Sequence, residues 1–145
     1  MMISTKGRYA LRLMADLALN DVGESISLKD ISLRQDISVK YLEQIAGNLS
    51  KAGYIKSSRG AKGGYRLTKE PQKYSVGDIL RATEGNLSPV ACLNDEENIC
   101  PRADQCLTID FWQGLYGAIN TYIDGVTLAD VIKGADNIQK CNGCK

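Results

Sequence analysis

The chain has 145 residues, 43% of them hydrophobic, which suits one globular domain with an appendage or two small units and gives no sign of disorder. It contains no histidine, so the commonest general base and a frequent metal ligand are missing, which argues against most hydrolase chemistry. The net charge of +1 hides an asymmetry: residues 1–70 carry 12 Lys/Arg against 7 Asp/Glu, whereas residues 71–145 carry 6 against 10, so the first half suits an anionic partner.

The N-terminal MMISTKGRYA lacks the basic segment and apolar core of a secretory signal. No apolar run approaches the ~18 residues of a membrane span. The expected location is therefore the cytoplasm, with no membrane partner. Ser4 is placed to cap a first helix running to about Asn20, with Ala10, Leu13, Met14, Leu17 and Ala18 on one face. Gly23 interrupts it. Ser27 opens a short second helix, with Asp30 in the capping-box position and Ile31 inward, and Gln35-Asp36 closes it. Ser38 caps a third helix through about Ala52, with Leu42, Ile45, Ala46 and Leu49 inward and Gly53 as its stop. Residues 54–58 and 65–68 read as strands, joined as a hairpin through the glycine-rich turn RGAKGG at 59–64. Pro71 marks the exit, and Ser75 with Asp78 caps a fourth helix over about 76–84.

Residues 1–84 thus read as a winged helix-turn-helix DNA-binding domain. A loop follows at 85–106, long enough to suggest a function, and it holds three of the five cysteines. A long helix is expected from about Asp104 to Asp124, with Ile109, Trp112, Tyr116, Ile119, Ile123 and Val126 in a heptad-like seam. Such side chains cost about 1.5–3 kcal/mol each to leave in water, so they must pack on the wing domain or on a second copy. Thr127 with Asp130 caps a last short helix, which closes a segment at 104–132, and residues 133–145 read as a mobile tail. The fold class is mainly α with a small β-hairpin.

In a helix-turn-helix the start of the second helix enters the major groove. Here that stretch offers Ser38, Lys40, Tyr41, Glu43 and Gln44. Gln44 suits adenine and Glu43 suits cytosine N4. Ser38, Lys40 and Tyr41 suit phosphates. At the hairpin, Arg59 and Lys62 flank Gly60, and an arginine there suits a narrow minor groove. Lys56 and Arg66 add charge for phosphates. An amphipathic helix alone would be unremarkable, but a helix-turn-helix with a basic wing tip points to double-stranded DNA. No glycine-rich nucleotide motif or carboxylate pair supports an enzyme.

The segments STKGRYALRLMADLAL, YLEQIAGNLSKAGYIKSSRGAKGGYRL, VGDILRATEG, CLTIDFW and TLADVI, spread over about residues 1–132, resemble the IscR, CymR and NsrR regulators of bacteria, the Rrf-two superfamily. The pair YLEQ and RGxxGGYxL is specific to that family. The resemblance implies a homodimeric transcription regulator on a two-fold symmetric operator, with the long helix at the dimer seam. It also implies Glu43 and Gln44 as base readers and Arg59 as the minor-groove reader.

The cysteines lie at 92, 100, 106, 141 and 144. An odd count in a cytosolic chain argues for thiolate chemistry or metal over a disulfide framework. Cys92-x7-Cys100-x5-Cys106 spans the irregular loop, and thiolates ligate iron–sulfur clusters and zinc. In cluster-binding members of the family, three cysteines at similar spacing hold iron–sulfur. The IscR-like members add a histidine three residues after the last cysteine. Ile109 stands there in this chain, and the first spacing is two residues longer than in IscR. Asp110, Cys141 and Cys144 are the candidates for the fourth ligand. The acid on the first helix that serves nitric-oxide-sensing relatives is replaced by a basic stretch of Lys6, Arg8 and Arg12. A 2Fe–2S cluster is favoured over 4Fe–4S, with zinc third. The alternative is a cluster-free repressor of cysteine or sulfur metabolism, controlled by a partner enzyme, as in CymR-like relatives, or by zinc.

Overall fold

Residues 2–94 and 100–135 are described by a computed structural model. Helix α1 (Thr5–Leu19) is followed by α2 (Leu28–Gln35) and α3 (Val39–Lys51). The serine caps act as expected in the second and third: Ser27 Oγ accepts from Asp30 N–H at 3.1 Å, and Ser38 Oγ accepts from Tyr41 N–H at 3.2 Å. The turn between α2 and α3 passes through Asp36 at φ 53°, a left-handed conformation that aspartate tolerates better than most residues. Helix α3 ends in a Schellman motif. Gly53, at φ 77°, donates to the Ser50 carbonyl and Tyr54 to the Leu49 carbonyl, both at 3.0 Å.

Strands β1 (Ile55–Ser58) and β2 (Gly64–Leu67) pair antiparallel, Ile55 opposite Leu67 and Ser58 opposite Gly64. A backbone bridge from Ile26 to Tyr65, with bonds of 3.0 and 2.8 Å, ties this hairpin to the segment before α2. The base of the hairpin closes on Tyr74. Its buried hydroxyl donates to the Tyr54 carbonyl at 2.7 Å and accepts from Thr68 and Lys69 N–H, both at 3.0 Å. One apolar cluster runs through the unit, from Leu13 and Leu17 of α1 to Ile31, Leu42, Leu49 and Ile55, and on to Ile79 and Leu128.

Helix α4 (Val76–Glu84) is capped by Ser75, whose Oγ accepts from Asp78 N–H at 3.0 Å. Helices α5 (Ile109–Gly125) and α6 (Leu128–Lys133) complete the described chain. Helix α5 starts later than the sequence suggests. Residues 103–105 form a separate 3-10 turn, and the backbone at Cys106 is extended, so helical hydrogen bonding resumes only beyond Thr108.

The cap of α1 also differs. Ser4 makes no side-chain cap bond to its own helix. Glu84 Oε1 takes that place across 80 residues of sequence. It accepts from Ser4 N–H at 3.0 Å, Ser4 O–H at 2.5 Å and Gly7 N–H at 3.0 Å. A carboxylate beside free N–H groups at a helix start is favourable.

Candidate nucleic-acid interface and cysteine loop

Helix α3 buries Leu42, Ile45, Ala46 and Leu49 and turns Lys40, Glu43 and Gln44 outward to solvent. Those three side chains share the exposed surface at the start of the helix. Ser38 caps the helix, so its hydroxyl is partly engaged. Tyr41 is half-buried, with its ring edge-on to Tyr9 and 5.5 Å between centroids.

Lys56 is exposed on β1, and Arg59 and Lys62 are exposed in the turn between the strands. The glycines of this turn have separate causes. Gly60 needs its φ of 108° and has open space around it. A Cβ on Gly63 would lie 2.5 Å from the Ser58 carbonyl oxygen, and one on Gly64 2.3 Å from the Ile26 carbonyl oxygen. The last two glycines therefore serve the packing of the wing on its own chain. Arg66 is half-buried and reaches Asp21 at 3.4 Å, so it is less free than Lys56.

The cysteine loop leaves α4 at Gly85, directly after the Glu84 contact, and runs to α5. Cys92 sits half-buried in a 3-10 turn over Ala91–Leu93. Cys100 is exposed and Cys106 half-buried. Cys100 and Cys106 line one open surface pocket with Arg102, Gln105 and Leu107, and Cys92 is not among its walls. Cys106 Sγ lies 3.5 Å from Thr108 Oγ1, and hydrogen bonds from the Thr108 hydroxyl and backbone N–H hold its thiol below the usual range. That favours the thiolate, the form that ligates metals. Among the described residues no group of three or more cysteine or acidic side chains is gathered closely enough to hold a metal ion. The donor set nevertheless suits iron–sulfur or zinc in kind: three soft thiols in the connection between α4 and α5. Asp110 is exposed in the first turn of α5. Cys141 and Cys144 lie outside the described residues.

Helix α5 is joined to the N-terminal unit by contacts the sequence did not disclose. Arg81 of α4 binds Asp124 through Nη1 at 2.7 Å and Nη2 at 3.1 Å, and Nη2 also donates to Asn120 at 2.9 Å. The arginine holds the Asp124 carboxyl below the ordinary range. Gly77 lies under this pair, where a Cβ would stand 2.1 Å from Asp124 Oδ1. A bridge between Ser75 and Thr127 adds a second tie, with Leu128 N–H donating to the Tyr74 carbonyl at 2.9 Å. The five seam positions within α5 and Val126 just beyond it are half-buried, and no residue of α5 is fully buried. A second apolar stripe is more open: Phe111 is 63% exposed and Tyr122 73%, with Leu115 between them. It lies about a quarter turn round the helix from the seam. No helix among the described residues is long and apolar enough to cross a membrane.

A family model described as Rrf2, iron-dependent transcriptional regulator, matches residues 3–134. The protein rrf2 of Nitratidesulfovibrio vulgaris is 42% identical over 149 residues, covering 99% of this chain and 95% of its own. The structure of CymR, the global cysteine regulator of B. subtilis, is similar at TM-score 0.75 and 41% identity, covering 92% of this chain and 97% of its own. The IscR of T. potens is similar at TM-score 0.74 and 37% identity, covering 96% and 91%.

Proposed function

Because this chain belongs to the Rrf2 family of DNA-binding transcriptional regulators, which are not enzymes, we propose that it is a cytoplasmic homodimer whose grip on a two-fold symmetric operator is controlled by an iron–sulfur cluster on Cys92, Cys100 and Cys106. Glu43 and Gln44 read bases in the major groove, Arg59 enters the minor groove, and Ser38, Lys40, Tyr41, Lys56 and Lys62 hold phosphates. The second copy packs on α5, where the stripe of Phe111, Leu115 and Tyr122 stands open to solvent.

The observation that carries the cluster reading is where the cysteines lie. The loop that bears them begins at the Glu84 contact with the start of α1 and ends at the start of α5. When bound, a cluster supplies a link among three positions of that loop that is sensitive to iron supply and oxidation. The chain's own residues do the rest. Glu84 holds one end of the loop to the reading unit, and Arg81 with Asp124 sets the angle of α5 on α4. Two reading heads must lie about 34–36 Å apart to enter successive major grooves, so a shift in α5 changes the fit. The preferred type is 2Fe–2S, with Asp110, Cys141 or Cys144 as fourth ligand.

Protein purified without oxygen tests this. Visible colour with bound iron and sulfide, lost in Cys92→Ala, Cys100→Ala or Cys106→Ala protein, is the expected result. A colourless, iron-free protein after anaerobic reconstitution would overturn it. The likeness to the B. subtilis cysteine regulator favours one second reading, a cluster-free repressor of cysteine or sulfur metabolism controlled by a partner enzyme or zinc. Retention of a metabolic enzyme by the colourless protein would support that reading.

A further inference from the structure

Away from the reading surface and the cysteine loop, the most developed polar cluster joins α1 to the end of α2. At its centre is Asp16, only 2% exposed on the inner face of α1. Arg34 binds it with two bonds, Nη2 to Oδ1 at 2.7 Å and Nε to Oδ2 at 3.0 Å, and Gln35 Nε2 donates to Oδ2 at 2.9 Å. Arg12 holds the other side of Gln35. Its Nε donates to Gln35 Oε1 at 3.1 Å, and its Nη2 donates to the Gln35 backbone carbonyl. Gln35 is the last residue of α2, next to the left-handed Asp36 of the turn. The same guanidinium lies over the Tyr9 ring, 5.2 Å from its centroid. Tyr9 in turn meets Tyr41, on the first turn of α3.

Arg12 therefore touches supports on both sides of the turn that orients α3. A guanidinium is suited to this, because its planar donors can bond a side chain and a carbonyl while its face rests on a ring. The cation also lies at the C-terminal end of α2, where positive charge is favourable. Arg12 is exposed on the basic half of the chain, so a phosphate contact is the obvious rival role. Its Nε, its Nη2 and its face are already engaged within the protein, which leaves Nη1 as the nitrogen a phosphate would have to use.

We infer that Arg12 is a positioning residue for DNA recognition: it fixes the angle of α3 through Gln35 and Tyr9 and does not bind the DNA backbone. This rests on α3 being the reading helix. The test is the affinity for a selected duplex and a scrambled duplex, measured across a range of salt. The variants are Arg12→Lys, Arg12→Ala, Gln35→Ala, the double variant Arg12→Ala/Gln35→Ala, and Gln44→Ala.

Arg12→Lys, Arg12→Ala and Gln35→Ala should each lose about tenfold in affinity for the selected duplex, and the double variant should lose no more than the weaker single variant, as expected within one network. Binding to scrambled DNA and the salt slope should stay as in the unmodified protein. Arg12→Ala weakening both duplexes alike and reducing the salt slope by about 0.9, with Arg12→Lys restoring both, would make Arg12 a phosphate contact and overturn the inference. Unchanged binding in every Arg12 variant would overturn it as well. A Gln44→Ala protein that keeps full discrimination would instead remove the reading helix itself, and the inference with it.

Discussion

Glu43 and Gln44 stand next to each other in sequence and both face solvent from α3, while Leu42 and Ile45 on either side are buried. Neither polar side chain carries any part of the core, so each can be replaced without loss of fold. If they read bases, Gln44→Ala and Glu43→Ala should each lose about 1–3 kcal/mol of discrimination at one operator position, the usual worth of a base contact. Competition binding with single-base variants of the site measures this. Lys56→Ala should behave differently. It should weaken all DNA alike and lower the slope of log K against log salt by about 0.9, as for one lost phosphate contact. A sequence-selective defect in Lys56→Ala would remove it from the phosphate set. The wing glycines divide in the same residue-by-residue way. Glycine at 64 is required by the Ile26 backbone beside it, whether or not DNA is bound.

At the scale of elements, the helix starts were legible wherever a cap lies close in sequence. Ser27, Ser38 and Ser75 bond as their spacing to the following residues suggests, and Thr127 and Asp130 bond each other in both directions. The start of α1 was not legible in this sense, because its capping carboxylate is Glu84, 80 residues away. Asp16 offered a local clue, an acid placed between Leu13 and Leu17 on an apolar face, but its partners Arg34 and Gln35 belong to another helix. The heptad-like seam of α5 was visible as periodicity. Its half-buried state and the more exposed stripe beside it depend on where Arg81 and Gly77 set the helix, which periodicity does not encode.

Glu84→Ala should cost about 1 kcal/mol, the typical worth of a helix cap, and Glu84→Gln, which keeps an acceptor, should cost less in thermal unfolding. Gly77→Ala should cost about 1–3 kcal/mol by overpacking the α4–α5 contact. Asp124 adds a pH dependence. Its folded carboxyl is depressed by Arg81, so the contribution is complete above the ordinary aspartate pKa, about 3.9, and is lost as pH falls through the folded value. The stability difference between the unmodified protein and Asp124→Asn should therefore be constant from neutral pH to about 5 and shrink below 4. A difference that grows on acidification would contradict the ion pair.

For the molecule as a whole, the charge asymmetry of the sequence does not separate two bodies. The basic half forms α1 to α3 and the hairpin, and the acidic half adds Tyr74, Ile79 and Leu128 to the same core while carrying the cysteine loop and α5. On the function proposed above, the cysteine loop would be joined to two reading heads through a shared α5. Placing a charge in the exposed α5 stripe, as in Phe111→Glu or Tyr122→Glu, should weaken self-association by about 2 kcal/mol or more if those residues anchor the interface. Sedimentation would show monomer, and affinity for a two-fold site should fall with it while each head stays folded. A dimer unaffected by either change would place the interface elsewhere.

The most direct single measurement is selection of DNA from a random-sequence pool, carried out in parallel with anaerobic protein and with the same protein stripped of iron. The expected result is enrichment of a two-fold symmetric sequence with half-sites about one helical turn apart, and a clear difference in enrichment between the two preparations. The same sequences enriched equally by both would contradict control by a cluster, and no enrichment by either would contradict sequence-specific reading by α3 and the wing.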